Sequence, residues 1–352
     1  MPKVSSVRLQ QIGEALLTAA GALPEEAAIV TRHLVASNLA GVDSHGVSRI
    51  PEYMDRLGKK HIVPGAPFQI KQETATTTVV DGNWGFGYVI TEKTMQITID
   101  KARASGGVAA ATVAHQGHIG RLAAYTVMAA EQGMIGLITA DSGRSPKNVV
   151  PFGGREKRLG TNPLSIAVPS LLDGPLFIDF STSASIPPKI SSVAKRGEQI
   201  PAGWAIDAQG RPTTDPAKYA QGGGLLPLGG NEGHKGYGLA VIVEILCGLL
   251  PGLGFGVEPS GKHNDGCFLA VFDVEKFLPL AIFKKEVADF AKYLKDTPPS
   301  EGSKGVIYPG EMEWKTECER STSGIEIKED LWKKLSELAA PYGLGDRVQS
   351  DL

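Results

Sequence analysis

Apolar side chains recur at helical spacing near both ends of the chain. Residues 6–20 and 24–40 place them three or four positions apart, and Gly41 follows the second segment where helices commonly end. The same spacing returns over 282–295 and 329–341, with a polar, proline-containing connection between them. The pattern therefore predicts helices at the beginning and at the end of the chain.

The middle of the chain consists largely of short runs of β-branched and small apolar residues. From about residue 75 these runs are bounded by turn-forming residues, and a helical pattern over 119–133 separates two of them. The runs are TTTVVDG, GVAAATVA, MIGLITA, PLSIAVP, PLFIDF and DGCFLAVFDVEKF. Strands that alternate with helices predict an α/β domain.

These patterns divide the chain into three stretches that form two domains. We predict an α/β domain over 75–281, and a helical domain in which residues 1–74 pack together with residues 282–352. A chain of 352 residues is long enough to bury two ordinary cores.

The charge balance restricts the class of partner. Lysine and arginine total 36 against 38 aspartate and glutamate residues, which gives a formal net charge of −2. No run of like charges is long enough to mark an arm for nucleic acid or for a membrane surface. Small neutral or anionic ligands are therefore the expected partners, with no nucleic acid and no membrane.

Cysteine usage and apolar stretches indicate where the protein works. Cys247, Cys267 and Cys318 have no CxxC spacing, which is typical of reduced thiols in a cytoplasmic protein. The N-terminus lacks the apolar stretch of a secretory signal. In the apolar segment 236–256, Glu244 and a proline leave about fifteen residues for a helix, fewer than a membrane span needs. We expect a cytoplasmic protein with a buried core helix.

The segment GVDSHGVSRIPEY, residues 41–53, concentrates polar side chains between two helical stretches. Pro51 fits the first turn of a helix that we expect to begin near Val47. Ser44 and His45 would then lie at the N-terminus of that helix, where free amides and the helix dipole favour an anion such as a carboxylate.

Arg49 lies four residues after His45 and offers a planar fork that pairs at two points with a carboxylate. An acid and an anion anchor would then lie side by side. The alternative interpretation is structural: Asp43 or Ser44 caps the helix, and local hydrogen bonds satisfy His45.

A second polar cluster, AHQGHIGRLAAYT, contains His115, His118, Arg121 and Tyr125 where a strand ends and a helix begins. Ligand sites of α/β sheets lie at such strand ends. A metal-dependent hydrolase or lyase could use His115, His118 and Asp179, but no HExxH pattern accompanies them, so we expect no metal.

A third cluster, NEGHKGYG, brings a lysine and glycines to the start of the long apolar segment, as at a phosphate site. Its spacing is not that of a P-loop, and no GxGxxG follows a strand anywhere in the chain. The residues alone therefore indicate an anion site with two histidines and name no cofactor.

Taken together, several stretches resemble the malate/L-lactate dehydrogenase type 2 oxidoreductase family, which is distinct from the Rossmann-fold lactate and malate dehydrogenases. Within this family, HIGR, HKGY and PGE are most similar to the hydroxycarboxylate dehydrogenase B branch. The matching stretches run in the expected order over nearly the whole chain: DSHGVSRIPEY, HIGRLAAY, PFGG, LGTNP, IDFSTS, IPAGWAIDAQGRPTTDP, GHKGYGLAVIVEILCGLL and PGEMEWKTECERSTSGI.

The resemblance implies reversible hydride transfer between NAD(P)H and a 2-oxo acid/2-hydroxy acid pair. It also implies a non-Rossmann, mixed-sheet cofactor domain over 75–281, the helical domain described above, and a homodimer. NAD is the cofactor expected from the nearest branch, and NADP is the alternative because Arg144, Lys147 and Arg155 could meet a 2′-phosphate. The nearest alternative activity is a cyclic ketimine reductase of the same family, since a C=N bond beside a carboxylate needs the same hydride, cation and proton.

The resemblance also assigns roles to individual residues. His45 matches the proton donor, His118 matches a general base, and the substrate-binding residues are Ser44, Arg49 and Tyr53. The expected cofactor-binding residues are Ser142, Thr161, Asn162, Asp179, Phe180, Ser181, Thr182, Ser183, His234, Lys235, Gly236, Gly310 and Glu311. The chain departs from the family in one place, where Pro188 replaces the usual glycine before Lys189.

Overall fold

The computed structural model describes residues 2–141, 143–258, 262 and 265–345. Ser142, one of the predicted cofactor residues, lies outside this part of the chain. The helices are α1 (Ser6–Ala19), α2 (Pro24–Leu39), α3 (Ile50–Gly58), α4 (Gly87–Ala104), α5 (Ala123–Glu131), α6 (Pro187–Lys195), α7 (Pro216–Ala220), α8 (Gly233–Glu244), α9 (Leu280–Lys295), α10 (Glu311–Ser323) and α11 (Glu329–Ala339). The strands are β1 (Lys3–Val4), β2 (Gln69–Glu73), β3 (Thr77–Gly85), β4 (Val108–Gln116), β5 (Met134–Ala140), β6 (Pro163–Val168), β7 (Leu176–Ser181), β8 (Ala205–Ile206), β9 (Pro212–Thr213), β10 (Gly224–Leu225), β11 (Cys267–Asp273) and β12 (Ile325–Glu326).

A mixed seven-stranded sheet forms the centre of the molecule, in the order β2-β3-β4-β11-β5-β6-β7. Only the β3–β4 pair is parallel among these neighbours. Cys267 of β11 pairs with Val113 of β4 on one side and with Ala140 of β5 on the other, so a late segment of the chain fills the middle of the sheet. This order confirms the predicted non-Rossmann mixed sheet.

The sheet is covered by α4 and α5, whose apolar side chains share a core with alternate residues of the strands. Met95 and Ile99 of α4, Tyr125 of α5 and Ile138 of β5 belong to this core. All four side chains are fully buried, and burial of this kind stabilises each by about 1.5–3 kcal/mol relative to exposure. A smaller sheet, β10-β8-β9, forms a separate core with α6 and α8.

The two ends of the chain pack together, as predicted. Leu16 of α1 and Leu34 of α2 share one apolar core with Ile325 and Leu335 from the C-terminal region. In addition, β1 pairs with β12 in an antiparallel ladder. The domain limits at residues 74 and 282 stay a prediction; β2, which pairs with β3, ends just before the first limit.

The predicted helices near 6–20, 24–40, 282–295 and 329–341 are confirmed, but the interpretation of the segment between the last two as a connection is wrong. It contains α10, a helix of thirteen residues in which only Glu311 is buried. Because α10 lies on the surface, its sequence carries no apolar stripe from which a helix could be predicted.

The apolar segment 236–256 is shorter as a helix than its composition suggests. The α8 helix ends at Glu244 and continues as a π-helical turn, Ile245–Leu249. Within the described ranges, no helix is long and apolar enough to cross a membrane.

Candidate active site

The junction between α2 and α3 is built from two short 3₁₀ turns, Asp43–His45 and Val47–Arg49, and α3 begins only at Ile50. The predicted helix start near Val47 is therefore wrong by three residues. Pro51 lies in the first turn of α3, as expected. The turns form because each closes with its own backbone hydrogen bond, from Gly46 N to Asp43 O and from Ile50 N to Val47 O.

The free amides that we expected at this junction are engaged by the protein. His45 N donates to the carbonyl oxygen of Val42, and Val47 N donates to Asn38 Oδ1 at 2.8 Å. A Cβ at Gly46 would come within 2.4 Å of the Asn38 amide group, so only glycine lets this side chain approach. The amides of His45, Gly46 and Val47 are therefore not available to bind an anion.

Asp43 fastens the junction to the C-terminal part of the chain. Its carboxylate accepts a 2.6 Å hydrogen bond from Asn38 Nδ2 and forms an ion pair with Arg320 of α10 at 2.8 Å. The Ser48 hydroxyl donates to the backbone oxygen of Asp43. Residues that are far apart in the sequence thus fix the position of His45.

The two histidines predicted to be catalytic lie together. The rings of His45 and His118 are stacked, with 5.6 Å between their centroids and an interplanar angle of 19°. His118 follows β4, whereas His45 follows α2, so only the fold brings them into contact. Ser44 Oγ is 3.1 Å from His45 Nδ1, and Tyr53 Oη is 2.7 Å from His118 Nδ1.

Arg49 is held in place by two acceptors. Its Nε donates to the carbonyl oxygen of Ser44, and its Nη1 donates to Glu52, both at 2.8 Å. Glu52 also pairs with Arg56, so one carboxylate orients two guanidinium groups. A guanidinium has five N–H donors, so these two hydrogen bonds leave further N–H groups of Arg49 that could bind a ligand carboxylate.

His45 is neutral in the unliganded protein at pH 7. Burial, followed by the positive charges of Arg49 and Arg121, lowers the pKa of His45 from 6.5 to about 4, although the charge of Glu52 opposes this shift. The imidazole therefore becomes an acid only when something offsets the two cations.

Arg121 is a further candidate site residue, which the roles implied by the resemblance did not include. Its Nε is buried and has no hydrogen-bond partner among the described residues, and its guanidinium lies 6.0 Å from the ring centroid of Phe177. Burial lowers the pKa of Arg121 despite the opposing charges of Asp179, Glu317 and Glu313. A buried N–H without a partner is expensive unless it binds an anion, and the motif HIGR alone could not show that the Arg121 Nε is buried.

Three of the predicted cofactor segments meet at one place. The Thr182 hydroxyl donates to the carbonyl oxygen of Asn162 at 3.0 Å, and the Thr182 carbonyl accepts from Leu228 N in the loop before α8. Asn162, at a φ of 41°, donates from Nδ2 to Glu244 of α8. Its Oδ1 is buried and accepts no hydrogen bond from any donor within the described ranges. Thr161 is joined to Thr182 by a backbone hydrogen bond.

Asp179, Phe180, Ser181 and Ser183 continue the same segment along β7 and beyond it. Asp179 Oδ2 accepts the amide of Ala123 at 2.8 Å, so this carboxylate caps α5. Burial raises the pKa of Asp179 to about 6, although the Ala123 amide opposes the shift. Its contact with a cofactor stays a prediction.

His234, Lys235 and Gly236 lie in the first turn of α8, where helix amides favour an anion. The Lys235 side chain is 70% exposed and pairs with Glu232 at 3.1 Å. A Cβ at Gly236 would come within 2.2 Å of the Leu228 carbonyl oxygen, which requires glycine there.

Gly310 and Glu311 lie at the start of α10, beside β7. Gly310 has a φ of 93°, and a Cβ there would come within 2.5 Å of the Pro175 carbonyl oxygen. The Glu311 carboxylate is bound by Lys295 and Lys315, each at 2.6 Å. This carboxylate is therefore engaged in ion pairs within the protein, and its contact with the cofactor stays a prediction.

Two more expectations from the sequence concern Pro188, which departs from the family pattern, and His115, a possible metal ligand. Pro188 lies in the first turn of α6, where proline costs no hydrogen bond, so the loop after β7 continues directly into a helix. His115 is paired with Asp81 at 3.1 Å. Across the described residues, no three histidine, cysteine, aspartate or glutamate side chains are gathered as a metal site.

Comparison with known proteins identifies the family. A sequence model described as malate/L-lactate dehydrogenase matches residues 4–336. The chain belongs to this family. The family implies a nicotinamide cofactor, and the orphaned Asn162 oxygen and the glycine-lined start of α8 fit a dinucleotide.

Relatives and solved structures of the family cover nearly the whole chain. The L-lactate dehydrogenase of Cupriavidus necator is 36% identical over 96% of this chain and 97% of its own, and hydroxycarboxylate dehydrogenase B of Escherichia coli O157:H7 is 31% identical over 95% and 93%. The crystal structure of malate dehydrogenase from Entamoeba histolytica superposes with a TM-score of 0.92 at 33% identity, covering 97% of this chain and 98% of that one. A Δ1-piperideine-2-carboxylate reductase from Pseudomonas syringae gives a TM-score of 0.85 at 28% identity, covering 96% and 100%.

Proposed function

We propose that the protein is a 2-hydroxyacid dehydrogenase that interconverts a 2-oxo acid and its 2-hydroxy acid. One observation carries the proposal: the stacked imidazoles of His45 and His118 lie beside the Ser44–Arg49 hydrogen bond, which brings two imidazoles and a carboxylate anchor into one half-buried cluster. This is the set of groups that reduction of a carbonyl beside a carboxylate requires.

The nicotinamide cofactor, when bound, supplies or accepts the hydride at the substrate carbon. The residues that support its binding are Asn162 and Thr182, which are hydrogen-bonded to each other, and Lys235 at the start of α8. The exposed ammonium group of Lys235 and the neighbouring helix amides suit a diphosphate.

His45 gives a proton to the substrate oxygen as negative charge develops there. The neutral imidazole of the unliganded protein takes up this proton when an anionic substrate offsets the charges of Arg49 and Arg121. Substrate binding and acid formation are thereby coupled. In the reverse direction His45, once neutral again, accepts the hydroxyl proton.

Arg49 binds the carboxylate next to the reacting carbon, and Arg121 adds a second cation near His45. The buried Nε–H of Arg121 has no hydrogen-bond partner in the described chain, so Arg121 could bind a second carboxylate of the substrate. Malate and oxaloacetate have such a group. This favours C4 dicarboxylates over lactate.

We propose NAD as the cofactor. Of the three cations that could meet a 2′-phosphate, Lys147 is buried against Glu244 at 2.9 Å and Arg144 pairs with Glu258 at 3.1 Å. Only Arg155 is exposed without such an ion pair among the described residues, and a single loop cation gives weak support for NADP.

A cyclic ketimine reductase is the second candidate, favoured by the likeness to the piperideine-2-carboxylate reductase structure. Its substrate presents the same carboxylate to Arg49 and needs the same proton at nitrogen instead of oxygen.

A direct assay that follows the absorbance of NADH or NADPH tests the proposal. Purified protein is mixed with NADH or NADPH and with pyruvate, oxaloacetate, phenylpyruvate, hydroxyphenylpyruvate or Δ1-piperideine-2-carboxylate. We expect NADH oxidation with at least one oxo acid, and His45→Asn should lower kcat by roughly 10²- to 10⁴-fold. His61→Asn, in the turn after α3, is the matched control. Turnover of the imine alone would favour the second candidate, and turnover of neither would refute both.

We further propose that the enzyme is a homodimer that works in the cytoplasm. The outer face of α8 and the π-helical turn expose Leu239, Ile242, Ile245, Leu249 and Leu250. An apolar row of this kind on a helix supports a subunit interface. Ile242→Glu is expected to produce a monomer in light-scattering measurements.

A further inference from the structure

A buried chain of hydroxyl groups ends on His118. Tyr53 Oη is 2.7 Å from His118 Nδ1 and 2.9 Å from Tyr88 Oη. Both tyrosines are 1% exposed. Burial raises the pKa of both hydroxyls well above the neutral range, so each keeps its proton.

The chain is held rigidly from both sides. A Cβ at Gly120 would come within 2.5 Å of Tyr88 Oη, so only glycine, here at a φ of 73°, leaves room for this hydroxyl. On its other side the Tyr88 ring packs against His33 at 5.3 Å, and His33 is hydrogen-bonded to Glu92 at 2.6 Å. These contacts fix Tyr88 and, through it, Tyr53.

Whether His118 Nδ1 carries a proton decides in which direction the hydrogen bonds between His118, Tyr53 and Tyr88 run. If His118 Nδ1 carries a proton, it donates to Tyr53, Tyr53 donates to Tyr88, and the Tyr88 proton has no acceptor among the described residues. If Nδ1 carries no proton, Tyr88 donates to Tyr53 and Tyr53 donates to Nδ1, so every proton in the chain is used. An unsatisfied buried donor lowers the population of the first arrangement roughly tenfold or more.

We infer that Tyr53 and Tyr88 are positioning residues that hold neutral His118 in the tautomer with its proton on Nε2. In that tautomer His118 donates a hydrogen bond to the substrate oxygen instead of removing its proton. Within the proposed dehydrogenase, on which this role rests, proton transfer then belongs to His45 and oxyanion stabilisation to His118.

Nitrogen NMR reads the tautomer without any activity. The protein is labelled with ¹⁵N-histidine, saturated with NADH and recorded at pH 7.5, and the His118 signals are assigned with His118→Gln. We expect one protonated Nε2 and one unprotonated Nδ1. A protonated Nδ1, either alone or in an imidazolium, would overturn the inference whatever the substrate proves to be.

Variants test whether Tyr53 sets the tautomer. Tyr53→Phe should shift the Nδ1 resonance, populate the second tautomer and leave KM for NADH unchanged. It should lower kcat by roughly 10- to 100-fold, less than the roughly 10²- to 10³-fold found when an oriented donor is removed, because the imidazole itself remains. Tyr125→Phe is the matched control, because its equally buried hydroxyl donates to the Ile119 carbonyl oxygen at 2.7 Å. An unshifted Nδ1 resonance in Tyr53→Phe would contradict the inference.

A double-mutant cycle tests Tyr88. Because Tyr88 acts through Tyr53, Tyr88→Phe should lower kcat by about threefold alone and not at all in a Tyr53→Phe background. Equal losses of kcat in both backgrounds would show that Tyr88 does not act through Tyr53. Since the NMR measurement needs no turnover, it separates failure of this inference from failure of the proposed dehydrogenase activity.

Discussion

His45→Asn tests the coupling between substrate binding and protonation. Burial, Arg49 and Arg121 lower the pKa of His45 from 6.5 to about 4 in the unliganded protein. If a bound carboxylate cancels this shift of about 2.5 units, linkage makes anion binding up to about 300-fold tighter at pH values below both pKa values than above them. Between pH 7.5 and pH 5.5 the same relation gives an increase of about tenfold.

Oxamate, a pyruvate analogue that stays anionic over this range, is the suitable ligand. Calorimetry of the protein saturated with NADH, in two buffers of different ionisation enthalpy at pH 5.5, should show uptake of about 0.9 proton per oxamate. Protons are taken up and not released because His45 has the higher pKa in the oxamate-bound state and therefore binds an additional proton there. In His45→Asn the uptake should disappear.

Three carboxyl groups of the described residues titrate in the same window and require a control. Burial raises the pKa of Asp179 to about 6 and those of Asp141 and Asp265 to about 7. Any proton uptake that survives in His45→Asn belongs to groups such as these, whereas His61→Asn should behave as the wild type. Equal uptake in wild type and His45→Asn, or none in either, would refute the reasoning about His45.

Three more substitutions have defined outcomes. Arg121→Met should lower kcat/KM for oxaloacetate roughly 10- to 100-fold, as expected for loss of a charged hydrogen bond, but leave pyruvate within threefold; equal losses for both acids would remove its role in specificity. Lys147→Met leaves the Glu244 carboxylate buried without its ion pair, so urea unfolding should show a stability loss of about 3–5 kcal/mol that Glu244→Gln partly restores. Gly120→Ala places a Cβ within 2.4 Å of the Tyr88 ring at a positive φ, and thermal unfolding should show a loss of about 1–3 kcal/mol together with reduced kcat.

Most of the fold was predictable where one face of an element meets the core. The helices α1, α2 and α11 and the strands β4 to β7 show regular apolar spacing because their buried sides alternate with exposed ones. The pattern failed for α10, whose side chains face solvent on nearly every side. It also gave no sign that β11 inserts between β4 and β5, because pairing across so many residues depends on the whole sheet.

The candidate site was predictable as a set of residue types, but not as an arrangement. The motifs around His45 and His118 pointed to an anion site with two histidines, and the family resemblance supplied the reaction. The local prediction of free amides at a helix start was wrong, since Asn38 takes the Val47 amide. Arg121 and Tyr88 were missed as site residues because their importance arises from what surrounds them.

The sequence by itself determined the family, the residue types of the site and the elements that carry an apolar stripe. These are properties of short segments, so they can be read along the chain. Only the tertiary structure decided that His45 is neutral, that Arg121 keeps a buried N–H without a partner in the described chain, and that Tyr53 lies against His118. Protonation and hydrogen-bond direction depend on burial and on charges from distant segments, and these exist only once the chain has folded.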